Sequence, residues 1–409
     1  MNSATHSNSI IYCDILIIGA GAIGLSIAIA LQESRTNTQV VIVDKEEEVC
    51  LHASGRNSGV IHAGFYYSSE SLKSKFCRLG NLELKKFCRD ENLPIKEIGK
   101  VVVAKDAGDV KLLEDLAERA QANGVDIELL DEEELATYEP MAKTHEKFLW
   151  SPTTAIADPH EVAQALKRRF LLGGGQILCG ERLVEFRGDL AIFATGTSVS
   201  FNVCVNSAGA GALSIANKCG VGDEFGLLPV LGGYISTSAA KIPLKRMVYA
   251  APHPLSPFLG IHFTPTLNGM VKIGPTAIPV LGKEQYSISD GFTSGEAVQT
   301  LRALGNYVFG DPAHAIKALT NQASQGNLKR MVHAASKLVP MTPNSKAWYR
   351  GKAGIRSQLI DFNKKIFVQD FIIRESPGVI HILNAVSPGW TSALPFGRYI
   401  VEEFIMGKL

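Results

Sequence analysis

Apolar positions along the chain follow two rhythms, and the change from one to the other marks the first element boundaries. Residues 14–18 (DILII) form a short, almost wholly apolar run, the pattern of a parallel strand covered on both faces. It ends in glycine. Residues 25–31 (LSIAIAL) mix small and apolar side chains, which predicts a helix packed tightly on a sheet, and residues 39–44 (QVVIVD) predict a second β-branched strand. The window 10–31 is the most apolar, but it contains Asp14 and a glycine turn and no unbroken run of 18 apolar residues, so it reads as strand, turn and helix rather than a membrane span. Further on, residues 201–211 predict another apolar strand ending in small residues. Residues 106–123 predict a charged helix stopped at Gly124, and the acids at 131–134 open another; both read as solvated helices. The stretch 228–279 is rich in Pro, Gly and β-branched residues and alternates at 270–273 (MVKI), so it reads as antiparallel sheet. Residues 294–339 read as helical with a break at 310–312. The end reads as a strand at 381–386, a turn at 387–391 and a helix from 392 to 406. The first nine residues are polar and lack the pattern of a signal peptide, and no internal repeat is visible.

The glycines give the first pattern its chemistry. Residues 19–24 (GAGAIG) form a GxGxxG between strand and helix. The first glycine permits the tight turn, the second lets backbone N–H groups approach a pyrophosphate, and the third lets helix and strand pack closely, with the helix N-terminus facing the anion. Asp44 ends the second strand 20 residues after Gly24, the spacing that places a carboxylate on an adenosine ribose. A free ribose hydroxyl rather than a 2′-phosphate is therefore expected, leaving FAD or NAD. After Asp44 the chain runs into a polar, glycine-rich stretch at 51–67, poor helix material and a candidate ligand wrap. The terminal helix adds a reason to prefer flavin. Its positive N-terminal end suits the negative charge that develops near N1 and C2=O of a reduced flavin.

Size and charge narrow the partners. With 409 residues and a prior of about 150 per domain, two or three domains are expected. A net charge of +1 and the lack of a basic stripe interleaved with aromatics exclude an electrostatic nucleic-acid footprint. Seven widely spaced cysteines without a CxxC pair predict reduced, core-filling thiols in a cytoplasmic protein.

The GAGAIGL fingerprint, Asp44, the SGRNSGVIHAGFYY stretch at 54–67 and SLKSK at 71–75 resemble the FAD-dependent L-2-hydroxyglutarate dehydrogenases and oxidases, within the D-amino-acid oxidase and glycerol-3-phosphate dehydrogenase group of flavoproteins. The resemblance continues collinearly through GKVVVA at 99–104, PFLGIHFTP at 257–265, Gly274-Pro275, GKAGIRSQ at 351–358 and SPGWT at 387–391. It implies FAD as cofactor and an α/β fold: a Rossmann-like FAD-binding domain of glutathione-reductase type assembled from 10–85, 150–225 and 345–409. An α+β substrate domain on an antiparallel sheet is expected from 86–149 and 226–344. The expected reaction moves hydride from C2 of a small 2-hydroxy acid to flavin N5, with oxygen or a quinone as acceptor and at most peripheral contact with the inner face of a membrane. Oxidation of an amino acid at its CH–NH bond, and a non-catalytic dinucleotide-binding protein, are the competing readings.

Such a reaction needs a base for the hydroxyl proton and a cation for the carboxylate. Histidine suits the base; His62 lies in the wrap loop and His262 on the expected roof strand, with His62 preferred. Arg356 is the expected carboxylate clamp, since a guanidinium grips a carboxylate through two parallel bonds. Gln358, Tyr234 and Thr264 are the other candidate substrate contacts. For FAD the candidates are Gly19, Gly21, Ala22, Ile23 and Gly24 at the pyrophosphate, and Asp44 and Lys45 at the ribose. Ser54, Arg56, Asn57, Ser58 and Gly59 are expected in the wrap, Ala208 and Gly209 after the second strand, and Ser387, Pro388, Gly389, Trp390 and Thr391 before the last helix. No metal is expected. One departure stands out: Leu231-Gly232-Gly233-Tyr234 lacks the Arg-Gly and acid that the resembled proteins commonly carry there. Without that arginine, a second carboxylate is expected to be held less well, and the substrate can be another 2-hydroxy acid.

Overall fold

The computed structural model describes residues 10–34, 37–252, 260–313, 315–317 and 327–409. The polar lead at 1–9, positions 257–259, and positions 314 and 318–326 of the expected helical stretch lie outside the described residues.

Strand β1 (Ile10–Ile18) lies between two parallel neighbours, β2 (Val40–Val43) on one side and Ser198–Asn206 on the other. Gln176–Leu178 extends the parallel array beyond β2, and Val379–Leu383 extends it beyond Asn206. Antiparallel strands Leu183–Arg187, Leu190–Phe193 and Ile372–Ser376 complete a sheet of eight. Both faces of β1 are covered, as its unbroken apolar run requires: Ile15 and Ile17 pack into one core cluster, Leu16 and Ile18 into another. Helix α1 (Ala22–Ser34) covers the first face together with the helix Ala393–Ile400. A Cβ on Gly397 would sit 2.7 Å from the Ser26 carbonyl carbon, so these helices meet backbone to backbone. The arrangement is a Rossmann-like α/β sheet.

The segment expected to form one antiparallel sheet divides between two. Phe225–Gly232 pairs with Gly354–Asp361 and with Ile278–Pro279, whereas Ile235–Ser238, Met247–Ala250, His262–Pro265 and Met270–Gly274 enter a separate sheet of eight. The chain changes sheets at Gly232-Gly233, where no side chain resists the bend. The second sheet also holds a parallel pair that alternation did not foretell, Met247–Ala250 beside Lys100–Val103. A small third sheet joins β3 (Val60–Ile61) to Ala155–Ala157 and Ile95–Lys96.

The two expected solvated helices differ from that reading. Helix α2 (Leu72–Asp90) follows the wrap loop, and helix α3 (Ala107–Ala122), capped by Asp106, buries Val110, Leu113, Leu116 and Ala120 against the roof sheet. Its charge covers one face only. The acids at 132–134 form a single 3-10 turn before a four-residue helix. Ser294–Gly310 and Leu328–Ser336 are helical, and the last helix continues through a wider turn at Val401–Ile405. Among the described residues no helix is long and apolar enough to cross a membrane. All seven cysteines are free, five of them buried.

Candidate active site

The glycine turn is built for close approach. Gly19 has φ +107°, a region that favours glycine, and a Cβ there would lie 2.7 Å from the Ser207 carbonyl oxygen. Ser207 Oγ donates to the carbonyl of Ile18 at 3.1 Å, so the ends of the two central strands are tied at the turn. Ala208 lies against Gly19, and Gly209, with φ +55°, opens a 3-10 turn. At the N-terminus of α1 the Ala22 N–H donates to Ser54 Oγ at 3.0 Å, and the only atom a Cβ on Gly21 would crowd is that hydroxyl. Ile23 lies in the same first turn. Asp44 closes the other side: its carboxylate accepts the N–H of Ala20 at 2.7 Å and of Glu46 at 2.9 Å. These features fit a dinucleotide. This cradle, the turn at Gly19–Ala22, carries only small side chains, it leads straight into the N-terminus of α1, and a carboxylate stands at ribose spacing.

Beyond the cradle, several expected cofactor contacts are engaged with the protein itself. Lys45 Nζ pairs with Glu46 and, at 2.7 Å, with Glu284, and lies 3.0 Å from His52 Nε2. The three residues that come within metal-ligand spacing, Glu46, His52 and Glu284, thus already gather around an ammonium. Lys45 accordingly braces the loop around Glu284 and Tyr286. The Arg56 guanidinium stacks 4.0 Å above the Tyr286 ring while Nε donates to the Leu51 carbonyl, so its charge also faces this loop. Asn57 shapes the wrap from within, donating to the Ala53 and Ser54 carbonyls and accepting from the Gly59 N–H. Ser58 reaches the Tyr234 phenol, and Gly59 has φ +79°.

The turn before the last helix meets the wrap loop. The His62 N–H donates to Thr391 Oγ1 at 3.2 Å, and Thr391 Oγ1 donates to the Val60 carbonyl at 3.3 Å. Ser387 hydrogen-bonds the Tyr67 phenol, and Trp390 packs on the α1 core. Pro388 accepts the Ser392 N–H through its carbonyl, and a Cβ on Gly389 would collide with the Ala385 carbonyl oxygen at 2.8 Å. Ser392 Oγ, at the head of this helix, is buried without a partner. A hydroxyl at a helix N-terminus without a partner among the described residues is a second feature that fits a bound cofactor.

The roof sheet supplies the opposite wall. By strand alternation Lys100, Tyr249, His262 and Thr264 share one face, because their neighbours Val101, Val248 and Phe263 pack into the core behind. That face looks onto the wrap loop. Among the described residues His62 Nδ1, Tyr66 Oη and Lys100 Nζ are buried without a hydrogen-bond partner, while the buried hydroxyls of Tyr249 and Thr264 have only each other. Lys100 Nζ lies 4.5, 4.6 and 4.8 Å from the ring centres of Phe65, Tyr66 and Tyr249. Burial pushes this amine down to about 7, and pushes the Tyr66 and Tyr249 phenols up, so both keep their protons. His262 differs from His62. Its Nδ1 lies 2.8 Å from the Gly260 carbonyl and its ring stacks on Tyr249 with centres 3.8 Å apart.

Arg356 is deeply desolvated, which lowers its pKa, with the Tyr67 phenol nearby. Its Nε donates to Gln358 Oε1 at 3.2 Å. Gln358 was expected to touch substrate; instead its amide nitrogen donates to the carbonyls of Leu359 and Val368 and to Asn384 Oδ1, so no polar atom is free. It orients the guanidinium. Sequence reasoning passed over Lys100, Tyr66, Tyr67 and Tyr249. The available signals were a lone lysine heading the apolar strand KVVV and two successive tyrosines in a glycine-rich loop.

Burial holds the imidazoles of His62 and His262 down to about 3, and that of His381, inside the cofactor sheet, to about 4. All three are neutral at ordinary pH. An unfolded chain takes up these protons as the pH falls through about 6.5 while the folded chain does not, so stability present above that pH is lost below it, at about 1 kcal/mol per pH unit for each histidine. The urea midpoint is expected to fall between pH 6.5 and 4.5, and more gently in His262→Gln; identical slopes in the two proteins would reject the assignment.

Residues 14–403 match the family described as FAD dependent oxidoreductase. The chain belongs to that family, and FAD is its cofactor. It is 33% identical over 404 residues to an L-2-hydroxyglutarate dehydrogenase from Indibacter alkaliphilus, covering 95% of this chain and 98% of that one. It is also 32% identical over 415 residues to a mitochondrial L-2-hydroxyglutarate dehydrogenase from Caenorhabditis elegans, with 96% and 93% covered. Among solved structures, an L-alpha-glycerophosphate oxidase from Mycoplasma pneumoniae with FAD bound superposes with a TM-score of 0.74 at 24% identity, covering 96% of this chain and 94% of that one. A glycine oxidase from Geobacillus kaustophilus gives 0.73 at 17%, covering 98% and 96%. At these identities the two structures show the shared fold.

Proposed function

We propose that the chain oxidises the C2–OH bond of a small 2-hydroxy acid, of the kind named by its dehydrogenase relatives, to the 2-oxo acid. One observation carries the reading: among the described residues His62 Nδ1 and the Tyr66 hydroxyl are buried without partners, beside a Tyr249–Thr264 pair whose hydroxyls have only each other. Each such atom costs about 1–3 kcal/mol when unsatisfied, a cost that persists where a ligand completes the bonds. FAD, when held by the Gly19–Gly24 turn and Asp44, would supply the acceptor for the hydride of C2. Neutral His62 takes the hydroxyl proton, so that the C–O bond becomes a carbonyl. Three bonds steady its backbone: the N–H to Thr391, and the carbonyl accepting from Cys77 Sγ and, at 3.1 Å, from Asn81 Nδ2. Arg356, oriented by Gln358, holds the C1 carboxylate. The cofactor part is assigned to 10–85, 150–225 and 345–409 and the roof to 86–149 and 226–344, joined where Phe225–Gly232 pairs with Gly354–Asp361.

Anaerobic mixing of the yellow protein with L-2-hydroxyglutarate, other 2-hydroxy acids and amino acids tests the reading. Bleaching by a hydroxy acid with formation of the oxo acid supports it; bleaching only by amino acids, with ammonia released, replaces it with CH–NH oxidation. Reoxidation in air against reoxidation by a soluble quinone then separates an oxygen acceptor in the cytoplasm from a quinone at a membrane face. Arg356→Ala is expected to raise KM about 30- to 100-fold, from the loss of about 2–3 kcal/mol of charge-assisted bonding, with kcat changed less. Normal saturation would remove the clamp.

A further inference from the structure

We infer that Lys100 anchors a second carboxylate of the substrate, and so selects dicarboxylic over monocarboxylic 2-hydroxy acids. The inference deepens the proposed oxidation of a hydroxy acid and rests on it for the substrate's other end. Lys100 heads a strand that is otherwise valine, is fully buried, and has no anion within hydrogen-bond reach of Nζ. An ammonium does not stay in such a place for packing, since a methionine would fill it without the desolvation cost. Three aromatic faces surround it and favour its charged form, but they leave its N–H bonds unmade.

The neighbouring polar atoms define what completes it. Tyr66 keeps its proton and has no acceptor among the described residues; Tyr249 keeps its proton and shares one hydrogen bond with Thr264, which leaves one hydroxyl hydrogen of that pair over, so the ammonium, the Tyr66 phenol and the Tyr249–Thr264 pair form a set of donors. A carboxylate is an acceptor only, with room for several donors. The group that needs an acceptor, the reacting hydroxyl, is served by His62 instead. Arg356 lies on the other sheet, beside Tyr67, and Tyr67 in turn is within electrostatic reach of Cys77, as Lys100 is. Cys77 and Tyr67 thus link two buried cations carried by separate sheets, an arrangement suited to a molecule with an acid at each end. The arginine missing from 231–233 does not leave the far carboxylate without a cation.

The test compares the holoenzyme with Lys100→Met on L-2-hydroxyglutarate and on L-2-hydroxyvalerate, which has a methyl group where the far carboxylate was. The variant is expected to raise KM for hydroxyglutarate about 30- to 100-fold, as for one lost charge-assisted anchor, with kcat little changed and hydroxyvalerate unaffected or improved. Equal losses on both substrates, a fall in kcat alone, or no change would overturn the assignment. A second measurement needs no variant: glutarate and valerate binding to the oxidised wild-type holoenzyme, read from the flavin spectrum between about pH 6 and about pH 8.5. The amine loses its charge as pH rises through about 7. Of the groups facing the amine, His62 and His262 are already neutral and Cys77, Tyr66 and Tyr249 remain protonated. Lys73, also lowered to about 7, lies within reach of Arg356 and acts on the near carboxylate of both ligands alike. Glutarate is therefore expected to weaken about tenfold per pH unit above 7 relative to valerate; parallel curves would overturn the assignment. Should no hydroxy acid bleach the wild-type flavin, the proposed oxidation fails, and these binding curves still decide the role of Lys100.

Discussion

His62→Ala is expected to abolish bleaching by the substrate while the protein stays yellow. A positioned base contributes about 10²- to 10⁴-fold, and the neighbouring groups do not replace it: Tyr66 and Tyr249 keep their protons, Thr264 is too weak a base, and Lys100 is assigned to the far carboxylate. Retention of FAD follows from the geometry. The bond from position 62 to Thr391 comes from the backbone N–H, which alanine keeps, and the cradle at 19–24 is formed elsewhere. Single-turnover reduction under anaerobic conditions is the measurement, and an unchanged rate would take His62 out of the mechanism. His262→Ala is the matched control. Its ring is tied to the Gly260 carbonyl and stacked on Tyr249, so the expected loss is smaller and falls partly on stability.

Gly24→Ala is expected to yield colourless or poorly folded protein. A methyl group there would lie 2.1 Å from the Gly19 carbonyl oxygen and 2.8 Å from Ser207 Oγ. The first is backbone within the turn that approaches the cofactor, so it cannot move without opening the cradle. Overpacking of this kind costs about 1–3 kcal/mol or more, which is about 5- to 150-fold in FAD affinity. Gly295→Ala, where an added methyl meets nothing within 4 Å, is the control. FAD content after gel filtration, together with the urea midpoint, reads the result; full retention of FAD in Gly24→Ala would mean that the turn is not the cradle.

The unit from β1 to Asp44 was legible because its determinants are local: an apolar run, glycines at fixed spacing and a terminal acid lie within 31 residues. The last turn and helix were legible for the same reason. What depends on distant pairing was not. Alternation at 228–279 announces strands but not partners, so neither the division at Gly232-Gly233 nor the parallel pairing of Met247–Ala250 with Lys100–Val103 could be read. Gln358 shows the same limit within the site, since only the fold reveals that its amide is used up on Leu359, Val368 and Asn384. Lys45 and Arg56 stood at positions suited to a nucleotide, and the loop carrying Glu284 and Tyr286, more than 200 residues away, engages them instead.

The parallel sheet also sets an order of assembly on the ribosome. β1 pairs with Ser198–Asn206, which pairs with Val379–Leu383. β1 must therefore wait for Ser198–Asn206 to cover its second edge, and that strand in turn waits for some of the last residues made. Such non-local closure is slow and leaves sticky strands exposed meanwhile. Nascent chains stalled before residue 379 are thus expected to depend on chaperones, and riboflavin shortage to show first as aggregation of newly made protein.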